Sequence, residues 1–320
     1  MARHSRLLSS GYSAFYNCVQ KQNRHFGMNL NFHKYCQIAK QLFSGVLRRE
    51  SVGHPEGRWI SAYWWTKQPN FGDLLTPYLL EKNGITPVLQ PVSRAQFACV
   101  GSILEHLHSR FRGTVFGACF IRPHSHVDLS HCQIRAVRGH LTRQRLGLSE
   151  ALPLGDPGLL LHHFFEEERQ PKKYVLGLIP HFNDASKPQI QAICRREPDK
   201  IKLIDVTDIR EGITPVLKQI DQCQYVISSS LHGLVVAEAF NIPTAWTVLS
   251  GKTGGLWYRG TYKYDDYYSV FGIDRQPMTL AGEETLSQLI QKTIPPPSRL
   301  PEVADKLLSA WNETLESLLG

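Results

Sequence analysis

Between Ile60 and Leu249 short apolar runs alternate with amphipathic stretches, and this alternation restricts the chain to a small set of folds. Ile60–Trp65, Phe97–Ile103, Thr114–Phe120 and Gln133–Val137 read as strands bounded by Gly or polar turns, with helices over Phe71–Lys82 and His140–Leu146. After the charged, proline-containing stretch 166–173, strands at Tyr174–Ile179, Lys202–Val206, Tyr225–Ser228 and Thr244–Leu249 alternate with helices near Ile213–Gln222 and Leu231–Phe240. Strand, helix and strand in succession specify parallel βαβ units, because a parallel pair needs a long crossover. The reading is an α/β protein of two Rossmann-like domains facing each other across a cleft. Its parts are a basic N-terminal extension (1–57), a first domain (58–165), a linker (166–173), a second domain (174–275) and a C-terminal helical tail (276–320). In the tail a helix from Pro301 sets Val303, Leu307, Trp311, Leu315 and Leu318 on one face, ready to pack on the body.

The chain of 320 residues is long enough for two domains, and its charge is unevenly distributed. Residues 1–50 hold eight Lys and Arg against the single acid Glu50; the other 270 hold 28 basic and 27 acidic side chains. The body is therefore neutral and the arm basic. Such an arm suits an anionic membrane surface or a solvated extension. Nucleic acid is disfavoured, since no helix-turn-helix, zinc or single-strand-binding motif accompanies the charge. No apolar run reaches the length of a membrane span, and the N-terminal apolar stretches are too short and broken for a signal peptide. The seven cysteines are scattered and form no Cys-x-x-Cys, so a reducing cytoplasm is expected and a metal site is not.

In open α/β sheets ligands bind beyond the carboxyl ends of the strands, and four segments fall at such ends. In Val226-Ile-Ser-Ser-Ser-Leu-His-Gly233 a strand ends in Ser228, Ser229 and Ser230 and a helix starts at once, with His232 in its first turn. Free N–H groups and the helix dipole there favour a phosphate or carboxylate by roughly 0.3–2 kcal/mol; the plainer reading is a serine-capped helix with a structural histidine. In Asn70-Phe-Gly-Asp73, Gly72 permits close backbone approach while Asn70 and Asp73 present polar groups, or simply cap a helix. In Val137-Arg-Gly-His-Leu-Thr-Arg143, Arg138 is suited to a bidentate grip on an anion, and Arg143 lies a turn further on. Asp156 follows in the tight turn Leu154-Gly-Asp-Pro157, which either places it at the domain interface or, the favoured reading, is structural. The aromatic stretch Trp257–Tyr268, with Arg259, Lys263, Tyr264 and Asp266, suits stacking on the sugar rings of an acceptor, or packs as core edge. Ser250-Gly-Lys-Thr253 is not a phosphate-binding P-loop, because Trp246 stands where its first glycine belongs. His162-His163 has no metal-ligand partner at suitable spacing.

Taken in order, Trp64-Trp65, Asn70-Phe-Gly-Asp73, Val137-Arg-Gly with Leu-Thr-Arg143, Gly155-Asp-Pro157, Ile179-Pro-His181, Ser228-Ser-Ser-Leu-His-Gly233 with Ala237-Glu-Ala-Phe, and Lys263-Tyr with Asp266-Tyr-Tyr268 resemble the polysaccharide pyruvyl transferases, in particular their exopolysaccharide ketal-forming branch. The resemblance covers about residues 60–270; order and spacing carry it, not any one piece. It implies a GT-B-like fold and transfer of pyruvate from phosphoenolpyruvate to two hydroxyls of a sugar as a cyclic ketal. No other cofactor is implied. His232 matches the family's general acid, Arg138, Asn70, Asp73, Arg143 and the three serines become donor-binding candidates, and the acceptor is an oligosaccharide or polyprenyl-linked sugar. The place implied is the cytoplasm, with the arm on the inner face of the membrane. Many relatives carry Arg immediately before Leu-His where this chain has Ser230; Arg259, Lys263 or Arg143 are the candidates to supply that cation. His140 stands where proline is frequent after Arg-Gly. A nucleotide-sugar glycosyltransferase of the same fold and a non-catalytic glycan-binding relative are the alternatives.

Overall fold

In the computed structural model, which describes residues 57–249 and 261–320, the body is built from two five-stranded parallel sheets. The arm through residue 56, Ser250-Gly-Lys-Thr253 and Arg259 lie outside the described residues. The first sheet comprises β1 (Trp59–Tyr63), β2 (Thr86–Leu89), β3 (Phe97–Ala98), β4 (Thr114–Ala118) and β5 (Gln133–Val137), in the order β2-β1-β3-β4-β5. The second comprises β6 (Tyr174–Ile179), β7 (Ile201–Leu203), β8 (Cys223–Ser228), β9 (Thr244–Val248) and β10 (Met278–Thr279), in the order β10-β9-β8-β6-β7. Both sheets thus have the same doubly wound order. In each, the chain goes one way from the first strand to the second and the other way thereafter. The switch points lie between β1 and β3 and between β6 and β8, where an open sheet leaves a crevice at its carboxyl edge.

The helices are α1 (Leu75–Lys82), α2 (His140–Arg145), α3 (Leu161–Phe164), α4 (Pro188–Arg196), α5 (Thr214–Asp221), α6 (Leu231–Ala239), α7 (Tyr262–Ser269), α8 (Leu286–Ile290) and α9 (Leu300–Leu319). Pro at the first turns of α4, α5 and α9 suits these starts, because a missing N–H costs nothing there. Every residue of α6 is buried, with apolar side chains all round the helix, so it runs inside the molecule. It packs on the 3-10 turn Pro157–Leu160 that follows the first sheet, so one core spans both halves. The stretch 166–173 contains a 3-10 turn, Glu166–Glu168, and then passes straight into β6. Arg169 anchors it by donating to the buried Asp221 Oδ1 at 2.9 Å.

The second sheet takes its edge strand β10 from residues beyond 275. The chain then returns to the first sheet: α9 buries Val303, Leu307, Trp311 and Leu315, with Leu318 partly buried, as its spacing requires. The Trp311 ring meets Phe97 at 5.9 Å and Phe116 at 5.2 Å, both edge-on, so the tail is part of the core beneath β3 and β4. A second tie runs below α6. Glu238, buried, accepts from Tyr267 and Tyr268 hydroxyls at 2.8 Å each and from Thr244 at 2.7 Å, and pairs with Arg275. Such a network is stable only when every lone pair is used, and here it fixes α7 against α6. Among the described residues no helix is long and apolar enough to cross a membrane.

Candidate functional site

The two switch points converge. The turn after β1 donates Phe71 N–H to the Val206 carbonyl beyond β7 at 2.9 Å, joining the carboxyl edges of the two sheets. The end of β8 is stitched to the end of β6 by the serine run. Ser228 Oγ shares its proton between the Ile179 and Ser230 carbonyls, at 2.8 Å each, and accepts from Ser230 N–H at 2.9 Å. Ser229 Oγ accepts from His181 N–H and donates to Asp184, both at 2.9 Å. Ser230 occupies the N-cap of α6 with an extended backbone, but its hydroxyl makes no capping bond. The first two serines therefore shape the turn, and the third leaves the helix start uncapped by its own side chain.

His232 stands in the first turn of α6, buried except for a tenth of its side chain. One flank of the ring rests on Gly72, where even a methyl group would collide with Nδ1. On the other side Nε2 lies 3.7 Å from Asp156 Oδ2, an ion-pair distance longer than a hydrogen bond. Asp156 is wholly buried, accepts Arg138 Nε at 2.7 Å on Oδ2 and Gly158 N–H at 2.9 Å on Oδ1. Burial alone would raise its carboxyl, but Arg138 and His232 beside it more than reverse this and bring it down to about 2. It is an anion at any ordinary pH. Arg138 Nη1 in turn donates to Ser102 Oγ at 3.0 Å and Cys119 Sγ at 2.7 Å, while Nη2 is buried with no partner. Burial pushes the Cys119 thiol up to about 12, so it stays protonated and donates to the Phe120 carbonyl at 2.9 Å. Asp73, on the turn with Gly72, accepts from Asn70 Nδ2 at 2.9 Å. Its burial raises it to about 6, against the lowering pull of His232, Asn70, Lys263 and Arg138.

The structure thus brings His232, Arg138, Asp73, Asn70 and the serine turn to one place, but several side chains do other work than their spacing suggests. Arg138 does not point out of its strand; it is fully buried, because the segment leading into the Asp156 turn returns to pair with the end of β5, Leu154 opposite Val137. Arg143 pairs with Glu150 and donates to the Glu150 carbonyl at 2.9 Å, serving the loop after α2. Asp266 is buried as a cap for α2, accepting Thr142 N–H and Thr142 Oγ1 at 2.8 Å each. Tyr264 offers no open face: it stacks on Trp246 at 4.3 Å and donates its hydroxyl to the Ser229 carbonyl at 2.9 Å. The part of the aromatic stretch that lies within the described residues is the helix α7, whose Tyr side chains turn inward. Lys263 is half-buried with its ammonium 5.1 Å from the Tyr264 ring centre, within electrostatic reach of Asp73. Asp156, read from sequence as a structural turn, is the residue that links Arg138 to His232. Gly155, with φ of +150°, is the only local hint that this turn must be tight.

Two doubly wound sheets whose switch points meet at a buried Arg–Asp–His group and a serine-lined helix start define an α/β protein with a candidate site at the carboxyl ends of its strands. Residues 116–250, from β4 to the end of β9 and including Arg138, Asp156 and His232, match the family model described as polysaccharide pyruvyl transferase. The chain is 30% identical over 227 residues to uncharacterized protein L143 of Acanthamoeba polyphaga mimivirus, covering 68% of this chain and 76% of that protein. It is 27% identical over 222 residues to the succinoglycan biosynthesis protein ExoV of Rhizobium meliloti (strain 1021), covering 67% of this chain and 66% of ExoV. The chain belongs to the polysaccharide pyruvyl transferase family.

Proposed function

We propose that the chain transfers pyruvate from phosphoenolpyruvate to a sugar of a polysaccharide or lipid-linked oligosaccharide, closing a cyclic ketal, on a GT-B-like pair of domains. The observation that carries this reading is the setting of His232, at the start of α6 between Gly72 and the permanently charged Asp156. A carboxylate beside one ring nitrogen orients the ring, which a proton donor needs.

The residues divide the reaction as follows. Protonated His232 delivers its proton to the methylene carbon of phosphoenolpyruvate, turning it into a methyl group and leaving an oxygen-stabilised cation at the adjacent carbon. A sugar hydroxyl attacks that carbon and loses its proton, the bond from carbon to the phosphate oxygen breaks, and inorganic phosphate leaves. The second hydroxyl then adds to the same carbon, losing its proton, and closes the ring. The N–H groups at the start of α6 and the ammonium of Lys263 supply positive potential for the phosphate and carboxylate. Arg138 acts through Asp156. The basic arm would hold the protein at an anionic membrane carrying the acceptor, which predicts vesicle binding that weakens with salt and is lost on deleting residues 1–50.

The purified protein, given phosphoenolpyruvate and a panel of oligosaccharides, is expected to release phosphate and produce the ketal methyl signal by NMR. His232→Ala should lower kcat by roughly 10²–10⁴-fold. Turnover of a nucleotide sugar in place of phosphoenolpyruvate would replace this reading with glycosyl transfer. Saccharide binding without turnover of either donor, unchanged in His232→Ala, would replace it with a glycan-binding role.

A further inference from the structure

The aromatic residues of α7 are buried, so an acceptor sugar needs another platform. One stands at the end of β1. Side chains alternate at the end of β1, so Trp64 enters the main core while Tyr63, its body packed on the second apolar cluster, and Trp65 lie on the other face. Both are half-buried. The Trp65 ring stacks on His106 with centres 4.6 Å apart and planes at 19°, and Tyr63 meets the same imidazole edge-on at 6.3 Å. The exposed Lys67 covers Trp65 loosely, its ammonium 5.2 Å from the ring centre.

This cluster is continuous with the site. His106 ends the 3-10 turn Leu104–His106, which follows Gly101 and Ser102. Ser102 is bonded to Arg138, and a side chain on Gly101 would stand 3.4 Å from Asp73 Oδ1. On the other strand end, Trp65 leads through four residues to Asn70 and on to Gly72, on which His232 rests. The ionised Asp73 also acts electrostatically on the Tyr63 hydroxyl. Aromatic faces bordered by a carboxylate and a carboxamide suit a pyranose: its C–H face lies on the ring and its hydroxyls bond to the polar edge.

We propose that Tyr63, Trp65 and His106, bordered by Asn70 and Asp73, form the acceptor subsite and bind a pyranose ring of the saccharide. The identity of the reaction rests on the pyruvyl transfer reading; the binding does not, and it is measured without donor. The probe is a panel of galactose-, glucose- and mannose-terminated oligosaccharides, titrated by calorimetry. At least one should bind the wild type, and Trp65→Ala should weaken it about tenfold, with Trp65→Phe restoring most of the affinity. In turnover, Trp65→Ala should raise the KM for saccharide about tenfold and leave the KM for phosphoenolpyruvate unchanged. Wild-type binding that Trp65→Ala leaves intact, or no binding of any panel member, overturns the proposal. Retained binding with no phosphate release from any mixture would instead overturn pyruvyl transfer and leave the subsite standing.

Discussion

Arg138 and Asp156 form an ion pair, Nε to Oδ2 at 2.7 Å, in which neither side chain has any exposure to solvent. Removing one member of such a pair strands the other's charge in a low-dielectric interior. Arg138→Ala and Asp156→Ala should therefore each cost about 3–5 kcal/mol, and the double variant far less than their sum. Urea unfolding of the wild type and the three variants gives the coupling directly. Additive losses would mean that the two charges do not depend on one another.

Asp156 also faces His232, and the two roles separate by chemistry. Asp156→Asn preserves shape and keeps one acceptor oxygen, for Arg138 or for Gly158 but not both, and it offers His232 a neutral amide. Its kcat should fall by about tenfold or more with little change in either KM, since the substrate contacts remain. The pH profile of kcat should move as well. An unchanged profile would show that Asp156 supports only the turn.

Gly72 should be intolerant of any side chain. Its backbone has ordinary dihedral angles, so Gly72→Ala introduces no left-handed strain. What it introduces is a methyl group against the His232 Nδ1 and Cγ atoms. The imidazole must swing away from Asp156, so phosphate release should fall by about 10²-fold while the thermal midpoint moves by only a few degrees. A variant with full activity would place the working face of His232 elsewhere.

The serine run separates in the same way. Ser228 makes bonds to Ile179, Ser230 and the Ser230 N–H, whereas Ser230 makes no capping bond. Ser228→Ala should cost about 1–3 kcal/mol, because buried backbone groups lose their partner. Ser230→Ala should cost less than about 0.5 kcal/mol, since no cap is lost. Equal effects in denaturant would contradict this division.

The strands that lie between clear punctuation were legible. Gln133–Val137 and Tyr174–Ile179 begin and end where polar or proline-bearing segments bound their apolar runs. β3 is shorter than its apolar run because Gly101, at φ of +120°, turns the chain into the Leu104–His106 turn. β2 is hidden by Pro87, tolerated because β2 is an edge strand, and β10 by having two residues after a proline. The histidine and the arginine of the site were visible at strand ends. Their partner was not, because only the packing of α6 on the Pro157–Leu160 turn brings Asp156 beneath His232. Composition likewise could not show that Tyr264, Tyr267 and Tyr268 turn inward; that follows from buried partners on α6 and in the serine turn before it.

Asp73 makes stability depend on pH in a defined direction. Burial raises its carboxyl to about 6, whereas in the unfolded chain it titrates near the ordinary value of about 4. Between those two values the folded protein holds a proton that the unfolded chain has released, so stability falls as pH rises through this window. Above it the full penalty for an ionised Asp73 persists, up to about 3 kcal/mol. Asp73→Asn keeps an acceptor for Asn70 and removes the charge, so the variant should match the wild type near pH 4 and exceed it by about 1–3 kcal/mol at pH 7. Urea unfolding of both proteins across this range measures the difference. Parallel curves from pH 4 to 7 would show that Asp73 ionises in the folded protein as it does in the unfolded chain, and that His232, Lys263 and Arg138 together offset its burial.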